Sequence, residues 1–205
     1  MINQKINANE TIAIDIDMQN EFVAQGGQLE VPLAREQSPI IAAHLSYCRT
    51  AGIPVIKTKV AYENPQEIPN ALLGFFSAMG INLDTVLKER TLAVEFYKGL
   101  EPQQGDIVIT KKYFDAFFQT DLSDRLDEID TRRGTHTKTL VFTGTTINNC
   151  VYSTMLGAAH RNYDIIAISN GISGFPGENM QPWYNQMKFL GVEVTTAEEF
   201  RKRLK

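Results

Sequence analysis

The apolar runs of this chain are short, β-branched and continuous rather than strictly alternating, and that property limits its fold more than any other. Thr11–Asp17 (TIAIDID), Ile53–Val60 (IPVIKTKV), Asp106–Thr110 (DIVIT), the run Leu140-Val141-Phe142, Asp164–Ser169 (DIIAIS) and Val192–Val194 all read as strands. A strand with one wet face alternates apolar and polar residues, whereas a strand covered on both faces does not. Between these runs the apolar spacing changes to three and four residues, which is a helix pattern. Helices are predicted over Ser38–Thr50, Thr120–Ile129, Glu178–Leu190 and Ala197–Leu204, with another after Cys150. Alternating strands and helices predict a three-layer αβα sandwich in the α/β class, around a mostly parallel six-stranded sheet with right-handed crossovers. The 205 residues fit a single domain spanning 1–205.

Composition narrows the function classes. Hydrophobic residues make up 43% of the chain, enough for a full core without staples. The two cysteines, Cys48 and Cys150, form neither a disulfide framework nor a zinc pattern, so a reducing compartment, the cytoplasm, is expected. The opening MINQKINANE carries no apolar signal, and no run approaches the ~18 residues of a membrane span. The net charge of −4, with no basic tract, argues against nucleic acid and anionic membrane as partners and leaves a small-molecule substrate. No cofactor motif and no metal site is visible. His44 and Cys48 share a helix face, but with no further ligand nearby they read as packing.

The stretch Thr139–Tyr163 carries the first chemical signal. A strand ends at Gly144, two threonines turn the chain, and a helical pattern follows with Val151, Met155, Ala158 and Ala159 on one side. Cys150 falls in its first turn. Unpaired N–H groups at a helix start carry partial positive charge. Such a field favours thiolate and can bring a cysteine from about 8.5 to about 3.5–7.5; the same N–H groups can hold an oxyanion. The competing reading is a small residue in the core.

In open parallel sheets ligands bind beyond the carboxyl ends of the strands. Asp17 ends the first strand, Lys111 follows DIVIT, and Cys150 follows the fourth strand by one turn. Parallel strands bring all three to one edge, where a carboxylate, an ammonium and a thiol make a nucleophilic site. Singly, Asp17 reads as a turn cap, and Lys111 as a solvated lysine with Lys112 as its competitor. Alternation places Asp15 and Asp17 on the same face, with Asp17 at the rim. The apolar run around LLGFFSAMGI reads first as core, with lid or interface as alternatives.

Three blocks then resemble a known family in order. Asp17–Phe22 (DMQNEF) resembles the D-x-Q-N-x-F opening of the isochorismatase-like cysteine hydrolases. Lys111–Leu122 (KKYFDAFFQTDL) is similar to their K-x-x-x-S-A-F-x-x-T-x-L block, and Gly144–Val151 (GTTINNCV) to their G-x-x-T-x-x-C-V block. The resemblance covers about residues 10–175. It implies an isochorismatase-like fold, a catalytic triad of Asp17, Lys111 and Cys150, and a cis peptide between Thr145 and Thr146. It implies oxyanion and substrate contacts at Thr146, Phe22 and Ile147, and a homo-oligomer, dimer or tetramer. The implied activity is cleavage of a C–N bond in a small amide, ureide or lactam through a thioester, without a metal.

Departures from the family pattern bear on the substrate. Nicotinamidases of this family carry a D-x-H metal pair after the second strand, where this chain has Val60 and Tyr62; His136 and His160 lie far along the chain. Asp115 replaces a serine, Ile147 a threonine and Asn170 an aspartate. Two alternatives stand beside the hydrolase: a haloacid-dehalogenase-type phosphotransferase using Asp15-Ile16-Asp17 as its D-x-D motif, and a family member that binds a small molecule without turning it over.

Overall fold

The computed structural model describes residues 5–205. Its strands are β1 (Thr11–Ile16), β2 (Val55–Val60), β3 (Ile107–Lys111), β4 (Thr139–Thr145), β5 (Asp164–Ser173) and β6 (Glu193–Thr195). They form one six-stranded sheet in the order β3-β2-β1-β4-β5-β6. Every neighbouring pair is parallel. The helices are α1 (Asn20–Val23), α2 (Pro32–Thr50), α3 (Asn70–Ala78), α4 (Leu122–Arg133), α5 (Tyr152–Ala159), α6 (Gln181–Phe189) and α7 (Ala197–Arg203).

Two apolar layers sandwich the sheet. On one face Ala13, Val55, Val141 and Ile166 pack with Ile41, Leu45 and Cys48 of α2 and Phe200 of α7. On the other, Ile12, Ile14, Ile56, Ile109 and Phe142 meet Leu126 and Ile129 of α4, Met155 of α5 and Met187 of α6. The continuous apolar character of β1 and β4 follows from this double coverage: every β1 residue is buried. At the sheet edge the pattern relaxes, and β3 alternates between buried and exposed positions, with Val108 39% exposed.

Several elements differ from their sequence-based bounds. The α2 helix starts at Pro32, at the first turn where proline is tolerated, and Pro39 lies inside it. Pro39 has no N–H for the carbonyl of Arg35, and the Ser38 hydroxyl donates to that carbonyl at 2.8 Å instead. The pair that looked like a helix start therefore repairs a helix interior. The stretch after Asp17 contains one helical turn, α1. The charged stretch after Ile129 begins with the last turn of α4, and β5 runs on through Ser173. The apolar run over 72–81 forms most of α3, with Leu72 and Phe76 buried.

His44 and Cys48 do pack in the core. Nε2 of His44 lies 3.6 Å from the Cys48 sulfur, and its ring meets Phe200 edge-on at 5.1 Å.

The strand order reverses between β1 and β4, which are adjacent at the centre of the sheet. That switch point is where an open α/β sheet leaves a crevice. The two strands approach unusually closely there. Gly144 stands opposite Ile16 with φ 118°, and a Cβ at Gly144 would fall 2.2 Å from the Ile16 carbonyl oxygen.

Candidate active site

Lys111 is the last residue of β3, the outermost strand, and two inter-strand steps separate it from β1. Strands lie ~4.8 Å apart, so only a long side chain crosses β2 to the switch point. It does so: Nζ lies 2.7 Å from Oδ2 of Asp17 and 3.2 Å from Sγ of Cys150, and donates to the Tyr113 carbonyl at 3.0 Å. An ammonium has three donors, and all three are engaged. Burial by itself would lower the Lys111 ammonium, but the charge of Asp17 and the sulfur of Cys150 outweigh it and hold the pKa above the ordinary lysine value.

Asp17 follows β1 in the left-handed region, at φ 53°. Aspartate is among the few non-glycine residues that visit this region. The turn is pinned by Thr58, whose hydroxyl donates to Oδ1 of Asp17 at 2.6 Å and whose carbonyl accepts from the Asp17 amide at 3.2 Å.

This turn overturns the expectation that Asp15 and Asp17 share a face. Asp15 pairs with Lys57 and accepts from the Thr143 hydroxyl at 2.8 Å. Lys57 and Thr58 are successive residues of one strand, so their side chains leave opposite faces. The positive φ at Asp17 swings its carboxylate to the Thr58 side. Asp15 is fully enclosed in its own ion pair, so nothing here favours the phosphotransferase reading of the Asp15-Ile16-Asp17 motif.

Cys150 sits in a five-residue π turn, Ile147–Val151, that leads into α5. The Thr145–Thr146 peptide before it is cis. The Cys150 carbonyl accepts from the Thr154 hydroxyl at 2.7 Å, and that oxygen accepts from the Ala116 amide at 3.1 Å. Thr154 thus ties the cysteine turn to the segment that follows Lys111. The thiol does not have the depressed pKa expected of a helix start. Burial pushes it up, the charge of the adjacent Asp17 pushes it further, and Lys111 only partly offsets them. The resting sulfur therefore carries its proton next to a carboxylate.

The sulfur opens onto a pocket lined mainly by apolar side chains. Its floor is Thr146, Asn149 and Cys150; its walls include Phe22 of α1, Tyr62 after β2, Leu72, Phe75 and Phe76 of α3, and Phe175 after β5. Phe22 and Thr146, two of the expected substrate contacts, both line this pocket.

Ile147 does not: it is fully buried in the layer with α5, with Cγ2 toward Gly174, and stays outside the pocket wall. In the wider i→i+5 turn a three-residue step no longer returns to the same face, so Ile147 turns from the sulfur. Asn149 takes a place on the pocket floor that sequence reasoning did not give it, because a π turn leaves no periodic signature. Val60 and Tyr62 also line the pocket, and the Tyr62 hydroxyl donates to the Lys112 carbonyl at 2.8 Å. Among the described residues no group of three or more His, Cys, Asp or Glu side chains is placed to hold a metal ion.

Asp115 and Asn170 stand away from the pocket. The Asp115 carboxylate lies so close over Gly157 that a Cβ there would fall 2.6 Å from it. Asn170 holds the start of α7, accepting from the Ala197 amide at 3.0 Å.

Residues 11–199 match the family model of the isochorismatase domain. The chain belongs to the isochorismatase family. Relatives of this isochorismatase-family chain include the ureidoacrylate amidohydrolase RutB of Variovorax paradoxus, 26% identical over 95% of this chain and 81% of that protein. The RutB of Azorhizobium caulinodans is 28% identical over 96% and 91%. Among solved structures, a cysteine hydrolase from Pseudomonas syringae superposes with a TM-score of 0.85 at 24% identity, covering 99% of this chain and 96% of that one. An isochorismatase family protein from Desulfovibrio vulgaris gives 0.80 at 26%, over 94% and 97%. The last two share the parallel α/β sheet described above.

Proposed function

We propose that this chain is a hydrolase that cleaves the C–N bond of a small amide, ureide or lactam through a thioester on Cys150. The observation that carries the reading is the position of Lys111 Nζ, 2.7 Å from the Asp17 carboxylate and 3.2 Å from the Cys150 sulfur, beside a largely apolar pocket. The relatives named ureidoacrylate amidohydrolase support a reaction at a C–N bond.

The chemistry follows from the protonation states. Cys150 begins as a thiol beside the Asp17 carboxylate. As sulfur attacks the substrate carbonyl, Asp17 takes the thiol proton, the C–S bond forms, and the carbonyl oxygen becomes an oxyanion. Thr146 and Cys150 both line the pocket floor, and their backbone amides are the groups assigned to that oxyanion. Asp17 returns the proton to the nitrogen as the C–N bond breaks and the amine leaves. Asp17 next takes a proton from water, whose oxygen attacks the thioester. The C–S bond breaks and the acid departs. The sulfur leaves as thiolate beside Lys111 and recovers its proton from Asp17. Lys111 stays charged throughout and keeps the negative charge that moves between sulfur and carboxylate from being isolated in a buried site. No step requires a metal.

The test is Cys150→Ala against wild type on a broad panel of amides, ureides and lactams, with intact-protein mass spectrometry under substrate. Loss of turnover and of the acyl adduct supports the reading, and full turnover in the variant ends it. The same reading has the protein at work in the cytoplasm, where its two free thiols stay reduced, and as a homo-oligomer. The exposed Leu92 and Phe189 side chains are surfaces such an assembly would cover. No described helix is long and apolar enough to cross a membrane.

A further inference from the structure

We infer that the substrate of this site is uncharged and that its body is a flat ring or a branched hydrocarbon, not an acid. The inference rests on the hydrolase reading and deepens it.

Of the side chains that line the pocket, none is Lys, Arg, His, Asp or Glu. The body of the pocket is hydrocarbon and aromatic. The Phe75 ring in its lining has its centroid 5.8 Å from that of Phe76 and 5.9 Å from that of Phe175. The polar side chains of the pocket are Tyr62, Tyr113, Thr146, Asn149 and Cys150, and the scissile amide must lie at the Cys150 sulfur. Pockets of this kind bind an apolar body and orient it through a few polar atoms.

A charged substrate would need a partner, and the two lysines at the end of β3, Lys111 and Lys112, are committed. Lys111 has its three partners in Asp17, Cys150 and Tyr113. Lys112 is paired with Glu67 at 2.6 Å and stands 4.0 Å from Glu89. Its ammonium rests over the Tyr62 ring, 5.7 Å from the centroid, and only the ring of that pair lines the pocket. A carboxylate entering the pocket would lose its water and gain no countercharge, which a buried ion does not tolerate. The RutB relatives are named for ureidoacrylate, whose acrylate is an acid. This pocket offers that group no partner.

The test uses a matched pair of amides, 4-methylbenzamide and 4-carboxybenzamide, which differ at one end in charge. For the full chain, kcat/KM for the methyl compound is expected to exceed that for the acid at least 100-fold. Phe75 is partly buried, and Phe75→Arg, checked for folding by circular dichroism, is expected to cut this ratio at least tenfold. Binding to Cys150→Ala, measured by calorimetry, reads the preference without turnover. Equal or better use of the acid, or tighter binding of it, overturns the inference and leaves the hydrolase reading standing. Preferential binding of the methyl compound with no turnover and no adduct on Cys150 supports the inference and overturns the hydrolase reading. Absence of both binding and turnover for both compounds overturns the inference.

Discussion

Thr58 donates its hydroxyl to Oδ1 of Asp17 at 2.6 Å, which leaves Oδ2 to Lys111 at 2.7 Å. One oxygen of the acid is thereby fixed by a neutral partner from the neighbouring strand, and the other is kept for the ammonium and the thiol. Thr58→Val removes the fixing bond at nearly constant volume. The variant is expected to lose about 1–2 kcal/mol of stability and to lower kcat more than it raises KM. Thr58→Ser restores kcat. Steady-state kinetics beside urea melts check both statements.

The thiol of Cys150 is raised by burial and by Asp17 and lowered only by Lys111. Removing the carboxylate leaves the lysine unopposed. Asp17→Asn is therefore expected to alkylate faster at Cys150 with iodoacetamide at neutral pH than wild type does, while its turnover is abolished. Cys48 is also buried, with its thiol pushed up to about 12 by desolvation, so it reacts slowly in both proteins. Peptide mass spectrometry of the alkylated chain separates the two sites. Slower labelling of Asp17→Asn would mean that the carboxylate promotes thiolate in the resting enzyme.

His44 is on the buried face of α2 with Nδ1 unpartnered, and burial first, then Arg201, lowers its pKa to about 4. A histidine depressed on folding binds more protons when unfolded, so stability rises with pH between the two pKa values. The contribution is fully present above about 6.5 and is lost as pH falls toward about 4, on the order of 3 kcal/mol in all. Replacing His44 with phenylalanine is expected to flatten this part of the stability profile. Denaturant melts of both proteins from pH 7 to pH 4 measure it.

Gly144 is the point where β4 touches the backbone of β1. Gly144→Ala would place a methyl 2.2 Å from the Ile16 carbonyl oxygen at a φ of 118°. The neighbour is backbone and cannot rotate away, so a loss of at least about 2 kcal/mol is expected, with activity falling further because β1 leads to Asp17 and β4 leads to Cys150. Thermal melts and kcat/KM of the variant test this. Gly157→Ala is a useful contrast, since there the obstacle is the Asp115 side chain.

The layers, the parallel sheet and the edge where Asp17, Lys111 and Cys150 meet were legible because they depend on periodicity and strand direction, which every residue of a run reports. What was hidden depends on single backbone torsions. The positive φ of Asp17 moved its carboxylate away from Asp15, and the π turn aimed Ile147 into the core and Asn149 toward the pocket. Neither leaves a repeat in the sequence. Ser38-Pro39 misled for a related reason: a serine before a proline marks a helix start in most chains, and here its hydroxyl fills a gap in the ladder. The acidity of Cys150 was misread because helix position was weighed without desolvation, which sequence does not show.

Lys111 comes from β3, which has only one neighbour in the sheet. Border strands fray at lower free energy than central ones. Warming is thus expected to withdraw the amine while β1 and β4 still hold the acid and the sulfur, so heat inactivation comes before loss of circular dichroism. The enzyme's working ceiling is then set by its weakest strand, below the temperature at which its core melts.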